Sequence, residues 1–96
     1  MNLFNEVLAA KKQLENVVAA TPLTQNLNLS EEFKSTILLK REDLQIVRSY
    51  KIRGAYNKIS SLNETEKATG IVCASAGNHA QGVAYSCHLL QIQGKI

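Results

Sequence analysis

Two short runs in this 96-residue sequence hold side chains suited to chemistry: Ser49-Tyr50-Lys51-Ile52-Arg53-Gly54-Ala55-Tyr56 and Ser75-Ala76-Gly77-Asn78-His79-Ala80-Gln81-Gly82. In the first, the pattern puts Lys51 in the opening turn of a helix that Ser49 can cap. A cation is disfavoured at that end of the helix dipole. The same field helps to depress an ammonium pKa, which a Schiff-base lysine requires. The run also suits an ordinary surface lysine between Arg48 and Arg53, and the residues alone leave both readings open.

The second run lies between an apolar stretch, Ile71-Val72-Cys73-Ala74, and a helical pattern. Glycine lets backbone N–H groups approach a ligand closely, and a helix start offers a positive end to an anion. In a parallel sheet the carboxyl ends of the strands are where ligands bind. A dinucleotide fingerprint is absent. Gly77 and Gly82 have the spacing of a phosphate-binding P-loop, but Val83-Ala84 stands where Lys and Ser/Thr belong. An anion loop for something smaller than a nucleotide, or a purely structural turn, remains.

The elements that must position these runs follow from periodicity and punctuation. Leu3, Phe4, Val7, Leu8, Leu14, Val17 and Val18 recur at helical spacing, predicting a helix over 3–20 that Thr21-Pro22 ends. The alternation over Leu23 to Leu29 predicts a strand, Ser30-Glu31-Glu32-Phe33 a capped turn, and Thr36 to Lys40 a short buried strand. A polar loop over Arg41 to Arg48 leads to a helix over 49–62. Asn63 with Glu66 opens a short helix that ends at Gly70. Ile71 to Ala74 reads as a buried parallel strand and Asn78 to Leu90 as a helix. Gly94 breaks that pattern, and Lys95-Ile96 could open another strand. Helices alternating with strands predict an α/β fold with parallel strands.

Composition narrows the function classes. The chain is 45% hydrophobic and 20% charged, as ordinary globular domains are. Its eleven Lys and Arg are scattered, so no basic stripe for nucleic acid forms. There is no apolar stretch long enough to span a bilayer and no signal-type N-terminus, which favours the cytoplasm. Cys73 and Cys87 make no C-x-x-C pair and read as small core residues. His79 and His88 have no partners at ligand spacing, so no metal is expected. His88 reads as a surface residue, Tyr50 and Tyr56 as packing residues, and Lys67 with Glu64-Thr65-Glu66 as a solvated helix face.

Taken together, Ser49-Tyr50-Lys51, Arg53-Gly54-Ala55 and Ser75-Ala76-Gly77-Asn78-His79 resemble the fold-type-II pyridoxal-phosphate enzyme family. Lys40-Arg41-Glu42-Asp43-Leu44-Gln45 is similar to that family's segment just upstream of the lysine, and Thr21-Pro22-Leu23 to its exit from the first helix. Within the family the chain resembles the threonine dehydratase branch. Arg41-Glu42-Asp43-Leu44-Gln45-Ile46-Val47 and Gln81-Gly82-Val83-Ala84 are similar to the biosynthetic, isoleucine-pathway type.

The resemblance implies a truncated architecture of the tryptophan synthase beta-like kind, with residues 1–66 opening the larger domain and 67–96 the smaller. It implies pyridoxal 5'-phosphate as cofactor, Lys51 as the lysine bonded to it, and Asn78 as the hydrogen-bond partner of its ring hydroxyl. Ser75, Ala76, Gly77, Asn78 and His79 would hold the carboxylate of an amino-acid substrate. The implied reaction converts L-threonine to 2-oxobutanoate and ammonia, with Lys51 as general base. The serine racemase branch carries a hydroxyl residue at the position of Ala76, and alanine cannot transfer a proton, which favours elimination over racemisation.

The family's glycine-rich phosphate cup matches no run among the five glycines here. Ile96 reads as the start of an unfinished strand, so the expectation is a truncated product, poorly folded and inactive alone, of a homo-oligomeric parent. Two other readings stay open. One is a related lyase, such as a serine dehydratase or a cysteine synthase-like enzyme; the other is a non-catalytic remnant.

Overall fold

Helix starts in this chain are set by asparagine wherever no candidate site residue lies nearby. The computed structural model describes residues 2–96. Asn2 opens α1 (Leu3–Gln13), its side chain accepting from the Phe4 N–H at 3.1 Å. Asn26 opens α2 (Leu27–Glu32) by accepting from the Leu29 N–H at 2.9 Å. Asn63 opens α4 (Glu64–Thr69) with a reciprocal capping box: its side chain accepts from the Glu66 N–H, and the Glu66 carboxylate accepts from the Asn63 N–H. Each cap satisfies an amide that the helix itself leaves without a partner.

Two small sheets complete the frame. β1 (Leu23–Gln25) pairs antiparallel with β2 (Leu38–Lys40), Thr24 opposite Leu39. β3 (Ile71–Val72) pairs parallel with β4 (Gly94–Lys95), Ile71 opposite Gly94. α5 (Asn78–Leu90) is the crossover between β3 and β4, as a parallel pair requires. Gly70, at φ 88°, ends α4 and turns the chain into β3.

The core lies between α5 and α3 (Lys51–Ser60). Ile52, Ala55 and Ile59 recur along one face of α3 and are buried, Ile52 at 0% exposure. Ala55 and Ile59 join Cys73, Val83 and Cys87 in one cluster, with Leu62, Ile71, Leu90 and Ile92 packed around it. A fully buried side chain of isoleucine size contributes about 1.5–3 kcal/mol, so this face is what fixes α3 against α5. Both cysteines are free and buried, as core residues should be, and burial pushes the Cys87 thiol up, with Cys73 nearby adding to the shift.

Several expectations are corrected. The first helix stops at Gln13 rather than 20, because Leu14 turns inward and buries while Asn16 takes a left-handed φ of 64°. The alternation over 23–29 yields only three strand residues, since the Asn26 cap starts α2 within the pattern. Ser30 sits inside that helix rather than capping a turn; its Oγ accepts from the Ile37 N–H at 2.9 Å. The strands are more open than their composition suggests: every β2 residue is exposed, and Val72 in β3 is 82% exposed. Leu3, Phe4, Leu27 and Phe33 are also exposed, and α1 buries none of its residues. The region between Arg41 and Arg48 holds a 3-10 turn at Glu42–Leu44 and a buried Gln45, so it is not a plain polar loop. Lys67 is half-buried and bonds Glu64 at 3.1 Å.

Candidate active site

Among the described residues, α3 and α5 are the two α-helices whose starts no side chain caps. α3 begins at Lys51 after Tyr50, and α5 begins at Asn78 after Gly77. Ser49, expected to cap α3, is buried and only reaches the Lys51 N–H at 3.4 Å. In α3 the Arg53 N–H turns back to the Tyr50 carbonyl at 3.0 Å, whereas the opening amides of α5 are left for other acceptors. Both also carry the positive end of the helix dipole.

The structure brings these starts together through Gly82. A Cβ built at Gly82 would stand 3.1 Å from the carbonyl carbon and oxygen of Lys51 and 3.2 Å from the Ile52 nitrogen. A larger residue there would crowd the Lys51 backbone, which would have to give by a few tenths of an ångström. Asn78 lies four residues before Gly82, on the same side of α5 and about 6 Å nearer its start. The second turn of α5 thus rests on the first turn of α3, with Asn78 one turn beyond the contact.

Lys51 is half-buried, with its Nζ 5.2 Å from the centre of the Tyr50 ring. Tyr50 is itself exposed, so it serves less as a packing residue than as a flat neighbour of the ammonium. Ser75 is half-buried, whereas Ala76, Gly77, Asn78 and His79 are exposed. The loop is held loosely: the Gly77 N–H reaches Ser75 Oγ at 3.4 Å, and a Cβ on Gly77 would find no atom within 4 Å. A mainly apolar cleft of about 400 Å³ between α3, β3 and α5 includes Gly54, Ile71, Ala74, His79 and Val83 in its lining. It reaches the loop at His79 and does not include Lys51. Among the described residues, no cluster of His, Cys, Asp or Glu could hold a metal ion. None of the described helices is long and apolar enough to cross a membrane.

One part of the arrangement escaped the sequence reading. Arg53, two residues after Lys51, donates from Nε to Glu42 Oε2 at 2.7 Å and from Nη2 to Oε1 at 2.8 Å. Glu42 also accepts from the Thr21 hydroxyl and the Gln45 amide. Gln45, 1% exposed, donates to the Ala19 carbonyl and accepts from the Ala19 N–H, both at 2.9 Å. The Arg53 fork is the main reason the Glu42 carboxyl is pulled down to about 2. Thr21 and Gln45 add to the effect, and partial desolvation opposes it. A signal existed in the acid at position 42, but no local spacing ties it to an arginine eleven residues on.

The chain is similar to known proteins in sequence and in fold. The family profile described as "Pyridoxal-phosphate dependent enzyme" matches residues 14–96. The biosynthetic L-threonine dehydratase of Halalkalibacterium halodurans is 58% identical over 91 residues, covering 95% of this chain and 22% of that protein. The corresponding enzyme of Bacillus subtilis is 56% identical over 90 residues, covering 94% of this chain and 21% of that protein. Among solved structures, the processed form of threonine deaminase isoform 2 from Solanum lycopersicum superposes with a TM-score of 0.84 at 40% identity. That match covers 98% of this chain and 28% of that one. Serine racemase from Dictyostelium discoideum gives a TM-score of 0.87 at 33% identity, covering 94% of this chain and 29% of that one. The chain spans about a fifth of the length of the dehydratases it matches. With its lysine-headed helix, its glycine-bearing loop and a profile match over most of its length, the chain belongs to the pyridoxal-phosphate-dependent enzyme family.

Proposed function

We propose that these residues form the lysine-bearing part of a threonine dehydratase, which converts L-threonine to 2-oxobutanoate and ammonia. The observation that carries the reading is the Gly82–Lys51 contact, which sets an amine-bearing helix start beside a second uncapped one. The 58% identity to a biosynthetic threonine dehydratase favours this substrate over serine.

The residues present fit pyridoxal 5'-phosphate. A half-buried primary amine suits bonding to its aldehyde, and open space beside Gly77 leaves room for a planar ring or a carboxylate. Lys51 would hold the cofactor covalently and Asn78 would hydrogen-bond its ring hydroxyl. When bound, the cofactor supplies an electron sink for the pair left at the substrate's Cα. The free amides at the start of α5, with Ser75, Ala76, Gly77 and His79 around them, would hold the substrate carboxylate. Lys51 Nζ takes the proton from Cα as general base. Ala76 offers only a methyl group, so position 76 returns no proton to the opposite side, and the β-hydroxyl departs instead.

In the same reading residues 1–66 open the larger domain and residues 67–96 the smaller, with the α3–α5 core as the seam of the cleft. The protein would work in the cytoplasm as a homo-oligomer on a small amino acid, without nucleic acid or membrane. The test joins residues 1–96 to the remainder of the Halalkalibacterium halodurans relative, giving a full-length chain. Production of 2-oxobutanoate from L-threonine supports the proposal; turnover of serine alone refutes it.

A further inference from the structure

We infer that Glu42 is a positioning residue for Lys51, gripping Arg53 so that the first turn of α3 presents Lys51 toward the start of α5. The inference rests on Lys51 being the cofactor-bearing lysine, as proposed above. Successive side chains on a helix are about 100° apart. Lys51, Ile52 and Arg53 therefore point three different ways. Ile52 is buried in the packing of α3, and the Lys51 carbonyl lies against Gly82. Arg53 is held on a third side by a two-point fork to Glu42. Clamping Arg53 fixes the rotation of the turn, and Lys51 lies about 200° around from it.

The clamp matters because, besides the bond from the Arg53 N–H to the Tyr50 carbonyl at 3.0 Å, the turn has little polar anchoring of its own. Tyr50 contributes no side-chain cap, and the Ser49 hydroxyl only reaches the Lys51 amide at 3.4 Å. Glu42 in turn is immobilised from behind. Its carboxylate accepts from Thr21 and Gln45, and Gln45 is bonded both ways to the Ala19 backbone. A chain of bonds therefore runs from the 19–21 segment through Glu42 to the turn bearing Lys51. A planar fork carries orientation as well as attraction.

In the full-length chain described above, the rate at which pyridoxal phosphate becomes borohydride-trapped on Lys51 reports the presentation of that amine without reference to turnover. Glu42→Gln is expected to slow this labelling by about 10–100-fold, the scale of an ångström-sized misplacement. kcat should fall more than KM rises. Arg53→Lys keeps the charge but loses the fork, and should show the same loss, which covers the case in which Glu42→Gln fails to fold. Glu42→Asp keeps the charge and both oxygens, and should recover part of the rate. Ile59→Val, in the last turn of α3, provides a comparison destabilised by packing alone. Labelling in both fork variants as fast as in Ile59→Val would overturn the inference and leave Glu42 purely structural. If the unsubstituted chain is labelled on a lysine other than Lys51, the reading of Lys51 itself falls, and this inference with it.

Discussion

Gly82 and Lys51 touch backbone to backbone: the space a methyl group would need at 82 is already held, 3.1 Å away, by the carbonyl group of Lys51. An alanine there would normally favour a helix by about 1 kcal/mol over glycine. Here its Cβ meets main-chain atoms that cannot rotate away, and overpacking of this kind costs about 1–3 kcal/mol. The steric term wins. Gly82→Ala in the full-length chain should lower the melting temperature and reduce dehydration by an order of magnitude or more, because it separates the two helix starts. Calorimetry and a 2-oxobutanoate assay measure both; unchanged activity would show that the close approach is dispensable.

Lys51→Ala should abolish covalent attachment of the cofactor and nearly all dehydration. Lys51 heads α3 and is half-buried, so the substitution removes an amine without opening a core cavity. Borohydride reduction followed by peptide mapping locates the attachment. A label on any other lysine refutes the assignment.

Ala76→Ser should raise racemisation relative to the unsubstituted enzyme. Ala76 is exposed on the loop before α5, so a hydroxyl fits there without disturbing packing. Serine racemase from Dictyostelium discoideum has a fold that superposes closely on this chain, so the fold does not by itself choose between the two outcomes. Chiral analysis of serine incubated with each form reads the effect. If D-serine does not increase, alanine at 76 is not what suppresses racemisation.

Acid should weaken the structure through Glu42. Its carboxyl is held at about 2 in the folded chain, against an ordinary value of 4.5. A carboxyl depressed by folding contributes stability that is fully present above the unfolded value and lost as pH falls through the folded one. The window is therefore pH 4.5 down to about 2. The Arg53 side chain is 35% exposed. Solvent screening then limits the contribution to about 1 kcal/mol. Denaturant titrations of the full-length chain across that window should show a steeper loss for the parent than for Glu42→Gln. Parallel curves would mean that the pair adds nothing to stability.

Much of the second half of the chain is legible in the sequence, and the reason is local. The Asn63–Glu66 capping box, the turn at Gly70 and helix 78–90 depend on contacts within a few residues, so their signals stand next to one another. Burial of Cys73 and Cys87 followed from their apolar surroundings. The first half misled where two local signals competed. Apolar spacing carried the first helix to residue 20, yet burial of Leu14 and the left-handed turn at Asn16 end it at Gln13. Alternation suggested a strand through 29, but the Asn26 cap gave the segment a helical alternative, which prevailed.

The candidate site divides in the same way. By itself the sequence singled out the residues proposed to carry the chemistry: an amine at the head of one helix, and a glycine-bearing loop at the head of another. Only the tertiary structure decided that these heads meet, through Gly82 on the Lys51 backbone, and that Arg53 closes on Glu42 rather than on solvent. The physical reason is separation along the chain. Caps and turns act over three or four residues, whereas these contacts join positions that become neighbours only when the apolar faces of α3 and α5 pack and when Gln45 ties the 42–45 turn to Ala19.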